Sequence, residues 1–508
     1  MKRRLIILLA AAAAAVCMLC PQTALAEADY TGADTSWFDS LNPKGDYRIS
    51  TEAELRGLAS LVNEEQYYWK PNRTESFEGV TFVLTRDITL TGDWTPIGRD
   101  NQITFSGTFD AKGHTITGLS IDSEDPYCGL FGHLSGTVRN LYVEGDVSTS
   151  ENYCGGIAGF VSETGTIDHC RANVQIAGRY DVGGITGECR GGQITSSLNF
   201  GEVIGTSMVG GIAGECWGAS IESCGNRGLI VSNGAGSFNN GTGGIAGRSV
   251  SASSLSLCYN VGDIISSNEA TGGITGYTNS TGSSIRDCYS IGSIRIEAAQ
   301  VKTAAALNGA QSAAALTGSN LPVYAGGIAG YVGSQNLSIT NCYNTGKIRG
   351  ADYAGGIIGK CENELYSQDP PQFSNNYYAK GSFNGAIAAD RDDKRMRVRG
   401  AANEVYDSAF GHMAASLGEA YMDDRSGTYG SRGYPVLTWQ EEVQTDDDLA
   451  VLKHIDQDVV NRLHELTLVQ NAQESEPGET VLRFFNKDII SAAPAAQEIP
   501  IKEKGTQK

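Results

Sequence analysis

Apolar positions in this chain come in short bursts, cut at nearly constant intervals by glycine, asparagine and serine. Runs such as Gly-Ile-Ala-Gly at 156–159 and Asp-Ile-Ile at 263–265 favour strands, and the residues between them turn chains. None of the repeated runs has the length and spacing of an amphipathic helix. Gly-Gly-Ile-x-Gly begins at Gly155, Gly183, Gly210, Gly243, Gly272, Gly326 and Gly355, after a related Gly129-Leu130-Phe131-Gly132. The steps are mostly 27 to 29 residues, with one of 33 and one of 54. A second motif follows, Ile/Leu-x-x-Cys-x-Asn-x-Gly. It holds Ile221, Cys224, Asn226 and Gly228, then Leu255, Cys258, Asn260 and Gly262, and later Ile339, Cys342, Asn344 and Gly346. Ser290 replaces the Asn after Cys288, and Ser197 replaces the Cys before Asn199.

One such repeat cannot bury its apolar face alone, whereas stacked coils can, each strand bonding its equivalent in the next coil. The pattern therefore predicts an all-β chain built as a right-handed parallel β-helix, with short helical caps and a C-terminal helical or disordered tail. Helix-pair solenoids are excluded by the absence of helical runs. Equivalent residues would stand about 4.8 Å apart. Ile157, Ile185, Ile212, Ile245, Ile274, Ile328 and Ile357 then form an internal ladder. Asn199, Asn226, Asn260 and Asn344 form an amide ladder at a turn.

These motifs resemble the GLUG-motif repeats of secreted and surface bacterial proteins. Tyr47-Arg-Ile-Ser-Thr-Glu-Ala-Glu-Leu is similar to the opening segment of that family. Trp94-Thr-Pro-Ile-Gly and Gly107-Thr-Phe-Asp-Ala-Lys-Gly-His-Thr-Ile look like its first coils, and Gly433-Tyr-Pro-Val-Leu-Thr-Trp439 like its closing segment. The resemblance spans about Tyr47 to Trp439. It implies a parallel β-helix in an adhesin-like exterior protein and says little about activity, since such repeats occur in diverse extracellular proteins.

The remaining segments divide the chain. Residues 1–26 have the layout of a secretory signal peptide: basic Lys2, Arg3 and Arg4, an apolar run from Leu5 to Leu19, and Ala24-Leu25-Ala26 before Glu27. The run falls short of the ~20 residues that span a bilayer, and no later segment is long and apolar enough to do so. Residues 27–76 are a lead-in and N-terminal cap, with a helix over Thr51–Val62 capped by Ser50 or Thr51. The β-helix follows at 77–381, with an Ala-rich insertion at about 298–320. A C-terminal cap at 382–440 includes a helix over Ser408–Tyr421, and 441–508 holds a helical segment over Asp446–Asn471 and a polar tail.

Charge changes the picture of partners. The chain carries −20, and removing the signal with its three positive charges and no negative ones leaves −23. Such a surface repels nucleic acid and anionic lipid. No catalytic constellation emerges. The six histidines are scattered, Gly-x-Ser-x-Gly is absent, and Gly-Gly-Ile-x-Gly supplies no Asp on the calcium β-roll schedule. Neither metal nor cofactor is predicted. At the two polar positions after the motif's Ile/Leu no carboxylate pair recurs on adjacent coils, and Asp168 and His169 stand there as two polar neighbours. A site formed by other coil faces escapes that test.

Ten cysteines follow the signal. Cys224, Cys258, Cys288 and Cys342 hold one repeat position and read as a buried column, while Cys128 with Cys154 and Cys189 with Cys216 sit at equivalent sites within disulfide range. Tyr259, Tyr289 and Tyr343 follow the motif Cys, and Tyr377 follows its Asn counterpart. Tyr127, Tyr153, Tyr324 and Tyr353 recur just before the Gly-Gly motif. Exposed stacked aromatics hold sugar rings and protein partners; the competing reading is an aromatic ladder that covers a coil edge. The sequence thus predicts a secreted or cell-surface, non-enzymatic, adhesin-like protein for a glycan or protein ligand, with Tyr259, Tyr289, Tyr343 and Tyr377 as candidate ligand contacts. The rivals are a carbohydrate-active β-helix enzyme and a passive surface stalk.

Overall fold

The computed structural model describes residues 30–440, apart from 39–44, 65–76, 235–239, 298–321, 334–336, 363–371, 381–382, 384, 389–401, 407–412, 427, 430 and 432. The signal segment, the Ala-rich insertion, the helix expected over Asp446–Asn471 and the polar tail therefore lie outside the described residues. What remains is a parallel β-helix. One coil runs through Thr166–Asp168, Arg171–Ala177, Tyr180–Gly183 and Thr186–Arg190 before the next begins at Gln193. Each of these four strands belongs to its own long sheet, called here sheets I to IV in that order. Sheet I has 11 strands, sheet II 16, sheet III 7 and sheet IV 8. Among the described residues every strand pairing is parallel except Tyr421–Met422 with Val436–Leu437.

The register explains the motifs. Ile167, Ile194, Ile221, Leu255, Ile285 and Ile339 are successive partners on sheet I and are all buried. The Gly-Gly-Ile isoleucines form the facing ladder, from Ile157 at 0 % exposure to Ile357 at 2 %. Burying each such side chain is worth roughly 1.5–3 kcal/mol. The residue before the motif Cys is left-handed in coil after coil, at His169, Ser196, Ser223, Leu257, Asp287 and Asn341. That turn leaves the preceding carbonyl facing inward, where the next thiol meets it. Cys224 Sγ donates to Glu222 O at 3.3 Å, Cys258 to Ser256 O at 3.1 Å and Cys342 to Thr340 O at 3.2 Å. Ser197 replaces the Cys without losing the bond, donating to Thr195 O at 2.7 Å. The cysteine column thus satisfies a buried backbone acceptor.

The asparagine ladder forms over three coils. Asn199 Nδ2 donates to Asn226 Oδ1, and Asn226 Nδ2 to Asn260 Oδ1, both at 2.8 Å. Ser290 then interrupts it, because its hydroxyl is too short to reach across a coil, and Asn344 keeps only the bond to the glycine two residues on that Asn199, Asn226 and Asn260 also make. The two cysteine pairs stand in register as expected, yet all four are free thiols. Parallel in-register side chains leave the sheet side by side, about a strand spacing apart, whereas a disulfide needs Cβ atoms converging to about 3.5–4.5 Å.

A helix closes the first coil. Helix α1, Glu52–Asn63, starts at Thr51 with a capping box in which Thr51 and Glu54 satisfy each other's backbone N–H groups. It buries Leu55, Leu58 and Val62, and Arg56 donates to the carbonyls of Thr91 and Asp93 on the first coils. At the far end Asn403–Val405 extends sheet II. Of the helix expected over Ser408–Tyr421, the described residues hold one turn, α2 at Ala414–Leu417, which ends where Gly418 takes φ 116°. Residues 413–440 then lie along the flank of sheet II in a second, smaller core with Leu198, Phe200, Tyr259, Tyr289 and Tyr343.

The last glycine of Gly-Gly-Ile-x-Gly lies directly against the backbone of the neighbouring sheet. A Cβ at Gly276 would lie 2.2 Å from Thr242 N and 2.6 Å from Gly241 C, both backbone atoms of sheet III. Gly276→Ala is expected to destabilise the chain by about 1–3 kcal/mol or more through overpacking that backbone cannot relieve. A thermal melt followed by circular dichroism checks this, with Gly45→Ala as a control for the general cost of replacing glycine, since nothing lies within 4 Å of a Cβ there and its φ is not positive.

Candidate functional site

The corner between sheets III and IV carries two outward columns of side chains. The residue just before the first motif glycine pair's strand partner supplies one: Tyr127, Tyr153, Asp181, Met208, Gly241, Ala270, Tyr324 and Tyr353. The residue after each Gly-Gly-Ile-x-Gly supplies the other, in unbroken register: His133, Phe160, Glu188, Glu215, Arg248, Tyr277, Tyr331 and Lys360. Rings stack along each column. Tyr127 and Tyr153 lie 4.8 Å apart, Tyr324 and Tyr353 5.2 Å, and Tyr277 and Tyr331 4.9 Å. They also meet edge to face across the corner, Tyr153 with Phe160 at 5.9 Å and Tyr324 with Tyr331 at 6.2 Å. Lys360 sits over both Tyr324 and Tyr331. Arg190 lies over Phe160 and over Trp217, which is 43 % exposed.

Three carboxylates meet in the middle of this corner. Glu188 and Glu215 are partners on adjacent coils of sheet IV, and Asp181 reaches them from sheet III. One oxygen from each lies within 4.8 Å of the others, and among the described residues no other three of His, Cys, Asp or Glu are drawn so closely together. Asp181 is fixed by a left-handed backbone, φ 54°, that it shares with Tyr127, Tyr153 and Met208. All three are buried, at 5 %, 1 % and 7 % exposure for Asp181, Glu188 and Glu215. Arg190 pairs with Glu188 and Arg248 with Glu215, each at 2.7 Å. Asp181 Oδ1 has no hydrogen-bond partner. Burial, then the charges of Glu215 and Glu188, push Asp181 well above the usual carboxylate range. Burial pushes Glu188 and Glu215 up as well, against the pull of the arginines. Leaving a charged group unmet in such a place costs more than the about 1–3 kcal/mol of a neutral one.

The tyrosines expected as ligand contacts are placed differently. Tyr259, Tyr289 and Tyr343 do stack, at 5.5 and 5.1 Å, but they are 1 %, 0 % and 0 % exposed. The flanking C-terminal segment covers them. Tyr289 donates to Gln440 Oε1 at 3.0 Å, Tyr343 to the Pro435 carbonyl, and Trp439 packs on Tyr259 while its indole donates to Leu257 O. They form an aromatic ladder that seats the cap. Tyr377 is half-buried and donates to Asn375 at 2.7 Å. The cysteines offer no reactive thiol: burial pushes Cys128 and Cys189 up to about 12, and Cys154 and Cys216 well above the usual thiol range. Asp168 and His169 contact each other at 2.8 Å, and Thr195 donates to Asp168, so that pair is a surface contact at the turn. His133 stacks on Phe160 at 4.7 Å, and burial lowers it to about 4, so it is neutral near pH 7. Sequence reasoning missed the carboxylates because it compared positions on sheet I. The residue after each Gly-Gly-Ile-x-Gly was the signal that would have found Glu188 and Glu215.

No helix among the described residues is long and apolar enough to cross a membrane. No protein-family model matches the chain. The chain is similar to halomucin of Haloquadratum walsbyi, 35 % identical over 100 residues, which are 19 % of this chain and 1 % of halomucin. It therefore spans about a hundredth of that relative's length. Among solved structures it is similar to a candidate immunoglobulin A1 protease from Bacteroides ovatus, at 20 % identity and TM-score 0.41, covering 52 % of this chain and 82 % of that one. It is also similar to an IgA1 protease, at 14 % identity and TM-score 0.33, covering 66 % of this chain and 21 % of that one.

The carboxylate cluster sets a direction for pH dependence. A carboxyl whose folded pKa is raised contributes stability below the usual carboxylate range and loses it as pH rises through the raised value. In a chelator-treated sample the melting temperature is expected to fall as pH rises from that range through neutrality. Asp181→Asn should flatten that fall and melt above the parent at neutral pH. Parallel curves for the two proteins would mean that Asp181 carries no such burden.

Proposed function

We propose that the chain is an exported, adhesin-like repeat protein of the GLUG-motif type, without catalytic activity of its own, that holds glycan chains along the corner between sheets III and IV. The observation that carries this reading is the pair of facing aromatic columns. They are half-exposed at Tyr127, Tyr153, Phe160, Tyr324, Tyr331 and Tyr353, stacked at coil spacing, and interleaved with Arg190, Arg248 and Lys360. Ring faces offer apolar contact to sugar faces, and the charged groups between them offer directional hydrogen bonds. The rings form two patches on one edge of the solenoid, Tyr127 with Tyr153 and Phe160, and Tyr277 with Tyr324, Tyr331 and Tyr353, which suits a polymer that spans several coils better than a small molecule.

A second reading has one specific support. Glu188, Glu215 and Asp181 place carboxylates on adjacent coils, as acid–base cleavage of a polysaccharide requires. Against it, all three are nearly inaccessible and two are held by arginines.

Retention on a panel of host and microbial glycans, scored together with release of cleaved sugar, tests both readings. The binding reading expects retention without release, and a loss of roughly tenfold in affinity for Tyr153→Ala and for Tyr324→Ala. Release of sugar that disappears in Glu188→Gln would move the assignment to the enzyme. No retention of any glycan would leave a passive stalk.

A further inference from the structure

We propose that Asp181, Glu188 and Glu215 form a binding site for a hard divalent cation of the calcium class, which ties the corner of sheet III to two consecutive coils of sheet IV. Three observations meet here. The donors are all carboxylate oxygens, with no sulfur or imidazole among them, and one from each residue lies within 4.8 Å of the others. Calcium contacts oxygen at about 2.3–2.6 Å, so oxygens sharing one ion stand up to about 5 Å apart. The second observation is charge. Arg190 and Arg248 offset two of the three carboxylates, and among the described residues no cation is in ion-pair contact with Asp181. The third is the orphan atom. Asp181 is 5 % exposed, its Oδ1 accepts no hydrogen bond, and the carboxylate belongs to the triplet that converges on one point.

The elements around the point are well placed to hold an ion. Gly187 and Gly214 let the sheet IV backbone approach within van der Waals contact of the Asp181 backbone, so Glu188 and Glu215, one residue further on, start beside it. Cys189 and Cys216 alternate to the opposite, interior face and leave the site to oxygen. One oxygen from each carboxylate supplies three of the about six to eight oxygens that calcium takes, and water supplies the rest. The arginines stay as outer partners that orient the glutamates, each engaging Oε1. A proton on Asp181 is the competing way to relieve the charge, and it predicts no dependence on metal.

The test uses the full chain, stripped with EDTA and titrated with calcium chloride at neutral pH. Calorimetry is expected to show a single ion bound per chain, and the melting temperature is expected to rise with calcium. Terbium should occupy the same point and emit on excitation of the neighbouring Tyr153 and Trp217, and calcium should quench that emission by displacement. Asp181→Asn is expected to remain folded and to bind calcium roughly tenfold more weakly or not at all, and Glu215→Gln likewise. Asp168→Asn, a carboxamide substitution on sheet I, should bind as the parent does. A parent chain whose melting and calorimetry ignore calcium overturns the proposal whatever the variants do. Calcium binding of unchanged affinity in folded Asp181→Asn also overturns it, by placing the ion elsewhere on this acidic protein.

Discussion

Everything outside the core of this molecule depends on how closely two backbones approach at one corner. Where sheet III turns into sheet IV, the last glycine of each Gly-Gly-Ile-x-Gly faces main-chain atoms of the neighbouring strand. At Gly214 a Cβ would sit 2.3 Å from Val182 N, and at Gly187 2.5 Å from Cys154 N. No side chain of any size fits, so the repeat keeps glycine there. The contact has two consequences. It closes the coil tightly enough for Ile157, Ile185 and their equivalents to be buried. It also brings the residues on either side of the corner within reach of one another, although they lie on different sheets.

Packing therefore explains the chemistry of the corner. Where both columns carry rings, as at Tyr153 with Phe160 or Tyr324 with Tyr331, edge-to-face contacts build an aromatic face. Where the same two columns carry Asp181, Glu188 and Glu215, the same closeness forces like charges together. The register sets Arg248 beside Glu215 and Arg190 two residues beyond Glu188, which relieves two of them. A fold that only needed a stable corner would gain more from apolar residues at these positions, as buried ion pairs seldom repay their desolvation. The cluster is thus a local departure from a repeat that is otherwise consistent from motif to core, and such departures are where function is expected.

The fold was legible because its determinants are periodic. Glycine, isoleucine, cysteine and asparagine recur at fixed offsets, and each recurrence corresponds to a ladder. The capping box at Thr51 and Glu54 was readable for the same reason, being local. The site was legible only in part. Tyr127, Tyr153, Tyr324 and Tyr353 stood out by their position before the glycine pair, and they do face outward. Tyr259, Tyr289 and Tyr343 stood out equally, yet Trp439 and Gln440, some 100 to 180 residues later, cover them. No repeat-based rule announces a contact between the solenoid and a segment beyond it. The acidic triplet was hidden for a different reason. Its members are not at one repeat position, and the corner that joins them is a property of two sheets, not of one strand.

The central claim is that the working face of this protein is the corner between sheets III and IV and not the covered tyrosine stack on sheet II. Hydroxyl-radical footprinting of the full chain, with and without a retained glycan and read by mass spectrometry, tests that most directly. The account predicts protection at Tyr127, Tyr153, Trp217, Tyr324 and Tyr353, with the tyrosines under the C-terminal segment unreactive in both states. Protection that falls instead on sheet I or on the flank of sheet II, with the corner tyrosines as reactive as before, would contradict it.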